Sequence, residues 1–280
     1  RGNWKMLTTQ QMTNFSLGNI LSLLILLVLI GFLIIYRRTV KSGLSLFGNS
    51  LFFVIQYPAV LIFALMRFGL FALLDIAILT WFFPDMGWRA FITHPVQKLF
   101  GLFEHMCLPG LPCGVVILFL FFAAGLLMSV ATTHYVLSRL QQQGEPSPYS
   151  INVAIYNLPQ ILIWSALYAV VYYGIMTKQL FLLPFTVILT FFVTTAIAQG
   201  SASIANSLIR SVQIMRVVFG KTIVFLMLFG LVEFILGVST LQKNLIIPVI
   251  ISCLLTILIT VKDIFKALVV HNMGAEDHRP

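Results

Sequence analysis

The sequence predicts an all-α, polytopic membrane protein of about seven transmembrane helices plus an amphipathic interfacial helix, in one domain over residues 1–280. Three observations predict it. Hydrophobic residues make up 60% of the 280, charged residues only 9%, and mean hydropathy is +1.02, whereas a soluble domain carries roughly a quarter charged residues. The apolar runs are each about the length that crosses a ~30 Å hydrocarbon core. They also lack the polar/apolar alternation of barrel strands, so helices must satisfy the backbone inside lipid.

The elements follow in order. Leu17–Tyr36 is the first span. Its basic cluster, Arg37, Arg38 and Lys41, follows the apolar run, and no small-residue cleavage site comes after it. It therefore reads as a retained helix and not as a signal peptide. The chain opens on Arg1, which leaves room for a preceding or processed stretch. Leu44–Phe83 is apolar for twice the length of a span but is interrupted by Pro58, Arg67 and Asp75. It can hold one span over 59–83 after a surface helix and a bend at Pro58, or two tight spans. One span is preferred on the charge pattern below. Residues 84–113 form a loop region, with His94–Phe103 as a short interfacial helix and Trp81 and Trp88 at its start.

Residues 114–135 make the third span, and the polar run Gln141–Pro148 is a loop. Residues 158–177 and 180–198 form a helical hairpin with Lys178 at its tip. Residues 222–239 and 245–261 form a second with Lys243 at its tip. Between the hairpins, residues 201–219 repeat apolar side chains at helical spacing (Ile204, Leu208, Val212, Met215, Phe219), with Asn206, Arg210, Gln213 and Arg216 on other faces. That pattern is an interfacial helix.

Charge chooses the orientation. With seven spans and the N-terminus outside, the cytoplasmic side receives Arg37, Arg38, Lys41, Arg139, Arg210, Arg216, Lys221, Lys262, Lys266 and Arg279. The far side receives Arg1, Lys5, Arg89, Lys98, Lys178 and Lys243. Two spans within 44–83 would put the Arg37–Lys41 cluster opposite Arg210–Lys221 and lose this bias. The expected location is a bacterial inner membrane, N-terminus outside and C-terminus cytoplasmic. The net charge of +9 suits an anionic leaflet. It does not point to nucleic acid, because the basic residues are spread along the chain.

Candidate sites are few. Arg67, Asp75 and Glu233 are ionisable groups inside apolar runs. Each costs a few kcal/mol at mid-membrane (about 2.5–3.5 on insertion scales), so each needs a partner or a wet cavity. Arg67 and Asp75 stand eight residues apart, roughly 80° off one helical face, so Arg67 is expected to pair with another helix, Glu233 being a candidate. A structural pair or snorkelling is the plainer reading, a proton or ion relay the sharper one. Cys107 and Cys113 flank a Pro/Gly-rich loop on the expected outer side, where a disulfide and two free thiols are equally consistent. Cys253 reads as core and His134 as interfacial. Arg210, Arg216 and Lys221 suit lipid phosphates or a docking partner, though a plain surface connector explains them as well. No catalytic residue set, metal-ligand spacing or phosphate loop is present in the sequence, and no cofactor is expected.

From Ser138 onward the order of elements carries a resemblance. The loop Arg139–Glu145, the opening Asn157-Leu158-Pro159-Gln160, and the segment Ala205-Asn206-Ser207-Leu208-Ile209-Arg210-Ser211 followed by Phe219-Gly220-Lys221 resemble uncharacterised bacterial multi-span proteins. These are related to the membrane domain fused to some glycerophosphodiester phosphodiesterases. Arg210, Ser211, Gly220 and Lys221 match the recurring motif. The resemblance covers about half of the chain and implies a fold without the phosphodiesterase chemistry, whose soluble metal-binding barrel has no counterpart here. The expected function is a non-catalytic integral subunit or accessory factor, with the bilayer and membrane-protein subunits as partners. The alternative is a small transporter or lipid-handling protein, with Arg67, Asp75, Glu233, Gln56 and Gln199 as cavity liners. An intramembrane enzyme ranks last.

Overall fold

A computed structural model describes residues 37–82, 113–141, 147–178, 183–201, 203–239 and 246–277, and among them the chain is helical with no strand. The helices are α1 (Arg37–Gln56), α2 (Val60–Phe82), α3 (Cys113–Leu140), α4 (Ser147–Tyr156), α5 (Leu158–Lys178), α6 (Leu183–Thr190), α7 (Val193–Ala198), α8 (Ile204–Ser239) and α9 (Ile246–Asp277). Among the described residues, two helical stretches, Val115–Leu140 and Ile204–Glu233, are long and apolar enough to cross a membrane. Counting each of two bent pairs as one span raises the number to four. That is fewer than the seven expected. The expected span 17–36, the interfacial segment 94–103 and the Cys107 side of the loop lie outside the described residues.

The bend expected at Pro58 is present, and further breaks divide other runs. Pro58 has no N–H to donate and biases the residue before it out of the helical region. The chain accordingly breaks over residues 57–59, and α1 meets α2 at 93°. A second bend of 67° separates α4 from α5 around Asn157-Leu158-Pro159. There the Asn157 side chain donates to the Val153 carbonyl (2.8 Å) and competes for the helix's own acceptor. The expected span 180–198 is not one helix. It divides at Phe191-Phe192 into α6 and α7, and α7 has only six residues. Gly200, at φ +83°, ends α7. Its N–H donates to Ile197 and the Ser201 N–H to Ala196, the paired bonds of a left-handed C-terminal stop, which glycine adopts without a Cβ penalty.

By contrast, the connector from Ile204 onward and the expected span 222–239 form one helix, α8, bent at Val218 (φ −110°, ψ 16°). Of the apolar stripe, Met215 packs inward and three members face outward. Leu208, Val212 and Phe219 are exposed, while Ser207, Ser211, Ile214, Met215 and Val218 are buried. The serines turn inward because they have work to do. Ser207 accepts from Trp164 Nε1 (3.0 Å) and Gln160 Nε2 (3.3 Å) of α5. Ser211 bridges the α6/α7 break, donating to the Leu189 carbonyl (2.8 Å) and accepting from the Phe192 N–H (3.2 Å). Small hydroxyl side chains let helices approach closely while satisfying the freed backbone groups.

The interior is built around α3, α8 and α9. One apolar cluster joins the α1/α2 corner, α3, α4, α5, α7 and α9 through residues such as Phe63, Tyr135 and Trp164. Another joins α1, the α6/α7 break, α8 and α9 through Phe192, Phe225 and Phe265. The α1/α8 crossing depends on glycine. A Cβ on Gly43 would stand 2.8 Å from Val224 Cγ1, and one on Gly220 would stand 2.7 Å from Thr39 Cγ2.

Candidate functional site

The residues that matter most lie where the sequence suggests a span should stop. After Val261 the chain reads Lys262-Asp263-Ile264-Phe265-Lys266, then returns to Ala267, Leu268, Val269 and Val270. The apolar pattern resumes behind the charges, so α9 continues to Asp277 and carries the charges into the interior. The charge pattern places Lys262 and Lys266 on the cytoplasmic side, next to the end of a span. Instead, Asp263 is fully buried and Lys266 is 5% exposed.

Asp263 is the hub. Its Oδ2 accepts from Arg67 Nη2 at 2.7 Å, an ion pair with both side chains buried. Its Oδ1 accepts from Ser129 of α3 and from Lys266 Nζ at 3.2 Å. Lys266 Nζ also donates to Thr194 Oγ1 of α7 (3.1 Å) and sits 5.1 Å from the centre of the Phe191 ring. Arg67 Nη1 reaches Thr260 Oγ1 at 3.4 Å, and Arg67 Nε is buried without a hydrogen-bond partner among the described residues. One carboxylate thus ties together α2, α3, α9 and, through Lys266, α7.

This network forms one wall of a cavity of about 350 Å³. The opposite walls are aromatic. Phe71 packs against Phe121 with the rings tilted (5.7 Å between centroids), and Phe122 touches both Tyr168 (5.5 Å) and Tyr172 (5.1 Å). Tyr168 is fixed by donating to the Thr190 carbonyl at the end of α6 (3.2 Å), an acceptor made available by the helix break. Gly125 opens the floor: a Cβ there would have only Phe71 for a neighbour, at 3.6 Å. Three cations, Arg67, Lys262 and Lys266, line the cavity against one carboxylate, Asp263.

Lys262 differs from the other two cations. It has no hydrogen bond or ion pair among the described residues, and its ammonium lies 5.3 Å from the centre of the Phe229 ring. Glu233, half-buried on α8, is near enough for its charge to act on Lys262 and on Tyr172, but it makes no ion pair with Lys262 among the described residues. Chemically, the site offers fixed positive charge beside an apolar chamber. Ser129 faces a carboxylate already committed to Arg67 and Lys266, which orients charge and holds helices together instead of withdrawing the hydroxyl proton. Among the described residues no three His, Cys, Asp or Glu side chains converge.

The sequence-predicted residues divide accordingly. Arg67 is in the site, but its partner is Asp263, not Glu233. The Asp75 backbone belongs to α2 and its side chain lies outside the described ones, as does that of Cys113. Gln56 is exposed, and neither it, Gln199 nor Glu233 lines the cavity. Arg210 and Arg216 are exposed along α8, and Lys221 is half-buried. His134 approaches Ser150 Oγ at 3.2 Å and helps seat α4 on α3. Of the motif that carries the family resemblance, Ser211 repairs the α6/α7 break and Gly220 admits Thr39. Comparison with protein-family models, curated proteins and solved structures found no match to this chain.

Proposed function

We propose that this chain is a polytopic protein of a bacterial inner membrane that binds a small amphipathic molecule in the cavity between α2, α3, α5 and α9 and carries or positions it within the bilayer. The observation behind this reading is the cavity itself, with buried cations on one wall and aromatic rings on the others. Ionisable groups embedded in apolar helices mark substrate paths more often than they mark mere scaffolding, and a concave apolar site with a few convergent polar groups is the usual form of a ligand pocket. The broken helix at Phe191-Phe192 adds support. Interrupted helices beside a polar site are a device of transport proteins, because irregular backbone is tolerated where it borders a cavity.

The accessory-subunit reading draws on exposed apolar side chains such as Phe52, Ile55 and Tyr156. Lipid would cover these as well as a partner helix, so the cavity reading leads. The resemblance to phosphodiesterase-linked membrane domains is compatible with either. The proposed orientation keeps the N-terminus outside. It is tested by cysteine labelling at Gln142 and Lys243, which should react from opposite sides.

Native mass spectrometry tests the cavity reading. Protein purified from membranes in mild detergent should carry one small amphipath per chain, and Gly125→Leu, which fills the floor beside Phe71, should remove it. Retention by Gly125→Leu equal to wild type would place the molecule elsewhere and end the proposal.

A further inference from the structure

Building on the cavity as a ligand site, we infer that its ligand is a single-chain amphipath with an oxyanion head, a carboxylate or phosphate monoester, and that Lys262 is the residue that takes the head.

The charge count leads there. Arg67, Lys262 and Lys266 face the cavity with Asp263 as the only carboxylate in its lining among the described residues. Asp263 is shared between Arg67 at 2.7 Å and Lys266 at 3.2 Å, so both of those cations are already compensated and pinned. Lys262 is not. It is held against an aromatic face, which stabilises a cation only modestly, and Glu233 acts on it from beyond ion-pair distance. A half-buried ammonium with no carboxylate on it among the described residues is only partly hydrated and lacks a counter-charge. A ligand oxyanion would supply one with a charge-assisted hydrogen bond, the strong kind. Arg67, whose Nε has no partner among the described residues, stands on the same lining to supply further positive potential. A neutral head would accept only the weaker, uncharged-acceptor bond from these groups, and a cationic head would be repelled.

The tail follows from size and lining. Rings such as Phe71, Phe121, Phe122 and Tyr172 offer apolar surface. The volume of about 350 Å³ is at the lower end of small-molecule sites, which run to roughly 1,000 Å³. A head and one chain segment fit that space better than a two-chain phospholipid.

The test is a tail-matched binding series on the purified full chain in detergent, read by calorimetric titration. The compounds are dodecyl phosphate, dodecanoate, dodecanol and dodecyltrimethylammonium, with inorganic phosphate alone and a two-chain phosphatidic acid in nanodiscs as further arms. Dodecyl phosphate or dodecanoate should bind roughly tenfold or more tightly than dodecanol, the margin of one lost charge-assisted bond, and the quaternary ammonium should bind least. Lys262→Met should erase that margin while leaving dodecanol unchanged, and Lys262→Arg should retain it. Equal binding of anionic, neutral and cationic heads overturns the inference and leaves the cavity reading standing. Failure of every tailed compound overturns both. Inorganic phosphate binding as tightly as dodecyl phosphate, or phosphatidic acid outcompeting it, overturns the single-chain assignment. The comparison of heads on wild-type protein decides the matter even if Lys262→Met does not fold.

Discussion

Removing Arg67 while leaving Asp263 should cost more than removing both. In the folded protein the Asp263 carboxylate accepts from Arg67, Ser129 and Lys266 with no exposure to water. Arg67→Leu strips one of its two cations and its shortest bond to a cation. Breaking one side of a buried pair typically costs about 3–5 kcal/mol, because the stranded charge keeps its desolvation penalty. Lys266 stays on Asp263 and softens the loss, so the lower end of that range, about 3 kcal/mol, is expected. Asp263→Leu alone should cost at least as much, since it strands Arg67 and Lys266 together. The double variant should recover about 1–3 kcal/mol of the summed losses, the coupling usual for residues in one network. Reversible unfolding in a denaturing-detergent titration, on all four proteins of the cycle, measures it. Additive losses would refute the reasoning. So would recovery of Arg67→Leu by Glu233→Leu but not by Asp263→Leu, since that would return the partnership to the pair first expected from the sequence.

Other predictions test the framework that holds the site. Gly43→Ala should destabilise by about 1–3 kcal/mol, the cost of overpacking, because its new methyl meets Val224 at 2.8 Å; Val224→Ala should recover part of that in the same titration. Ser211→Ala should leave the Phe192 N–H and Leu189 carbonyl without their bridge. It should cost about 1–3 kcal/mol and speed hydrogen exchange at the Phe192 amide, and unchanged exchange there would count against the bridge. Gly200→Ala should cost about 1–2 kcal/mol for a left-handed residue, with Gly200→Asn milder, as measured by thermal unfolding.

The sequence carries the helical class plainly, because backbone satisfaction in lipid leaves few choices and apolar runs are easy to see. The number of spans does not follow so directly, because run length assumes that each run is one straight helix. Asn157 and Pro58 are local bend signals that can be read in advance. The break at Phe191-Phe192 has no Pro or Gly at the join, and it depends on a serine from another helix, which no local pattern reveals. The inward-facing serines of α8 have a similar origin. An apolar stripe predicts the buried face only when water covers the other side. Where lipid does, apolar side chains can face outward and serines can face in. Arg67 was legible as an embedded charge that needs a partner. Asp263 escapes a reading that ends the span at Val261, because Lys262 looks like a flanking charge. The signal that finds it is the resumption of apolar residues at Ile264, Phe265 and Ala267–Val270 behind the charged cluster. Lys262 as an uncommitted cation required the structure, since only packing tells it apart from Lys266 one turn later.

Photo-cross-linking from inside the cavity tests the central claim most directly. A benzophenone side chain replacing Phe122, activated in intact membranes, should yield an adduct whose mass fits one oxyanionic single-chain molecule, and the adduct should disappear in the Gly125→Leu background. The same side chain at exposed Phe52 should capture bulk lipid regardless of Gly125. If Phe122 gives no adduct, or the same lipid mixture as Phe52 with no response to Gly125→Leu, the cavity is not a ligand site.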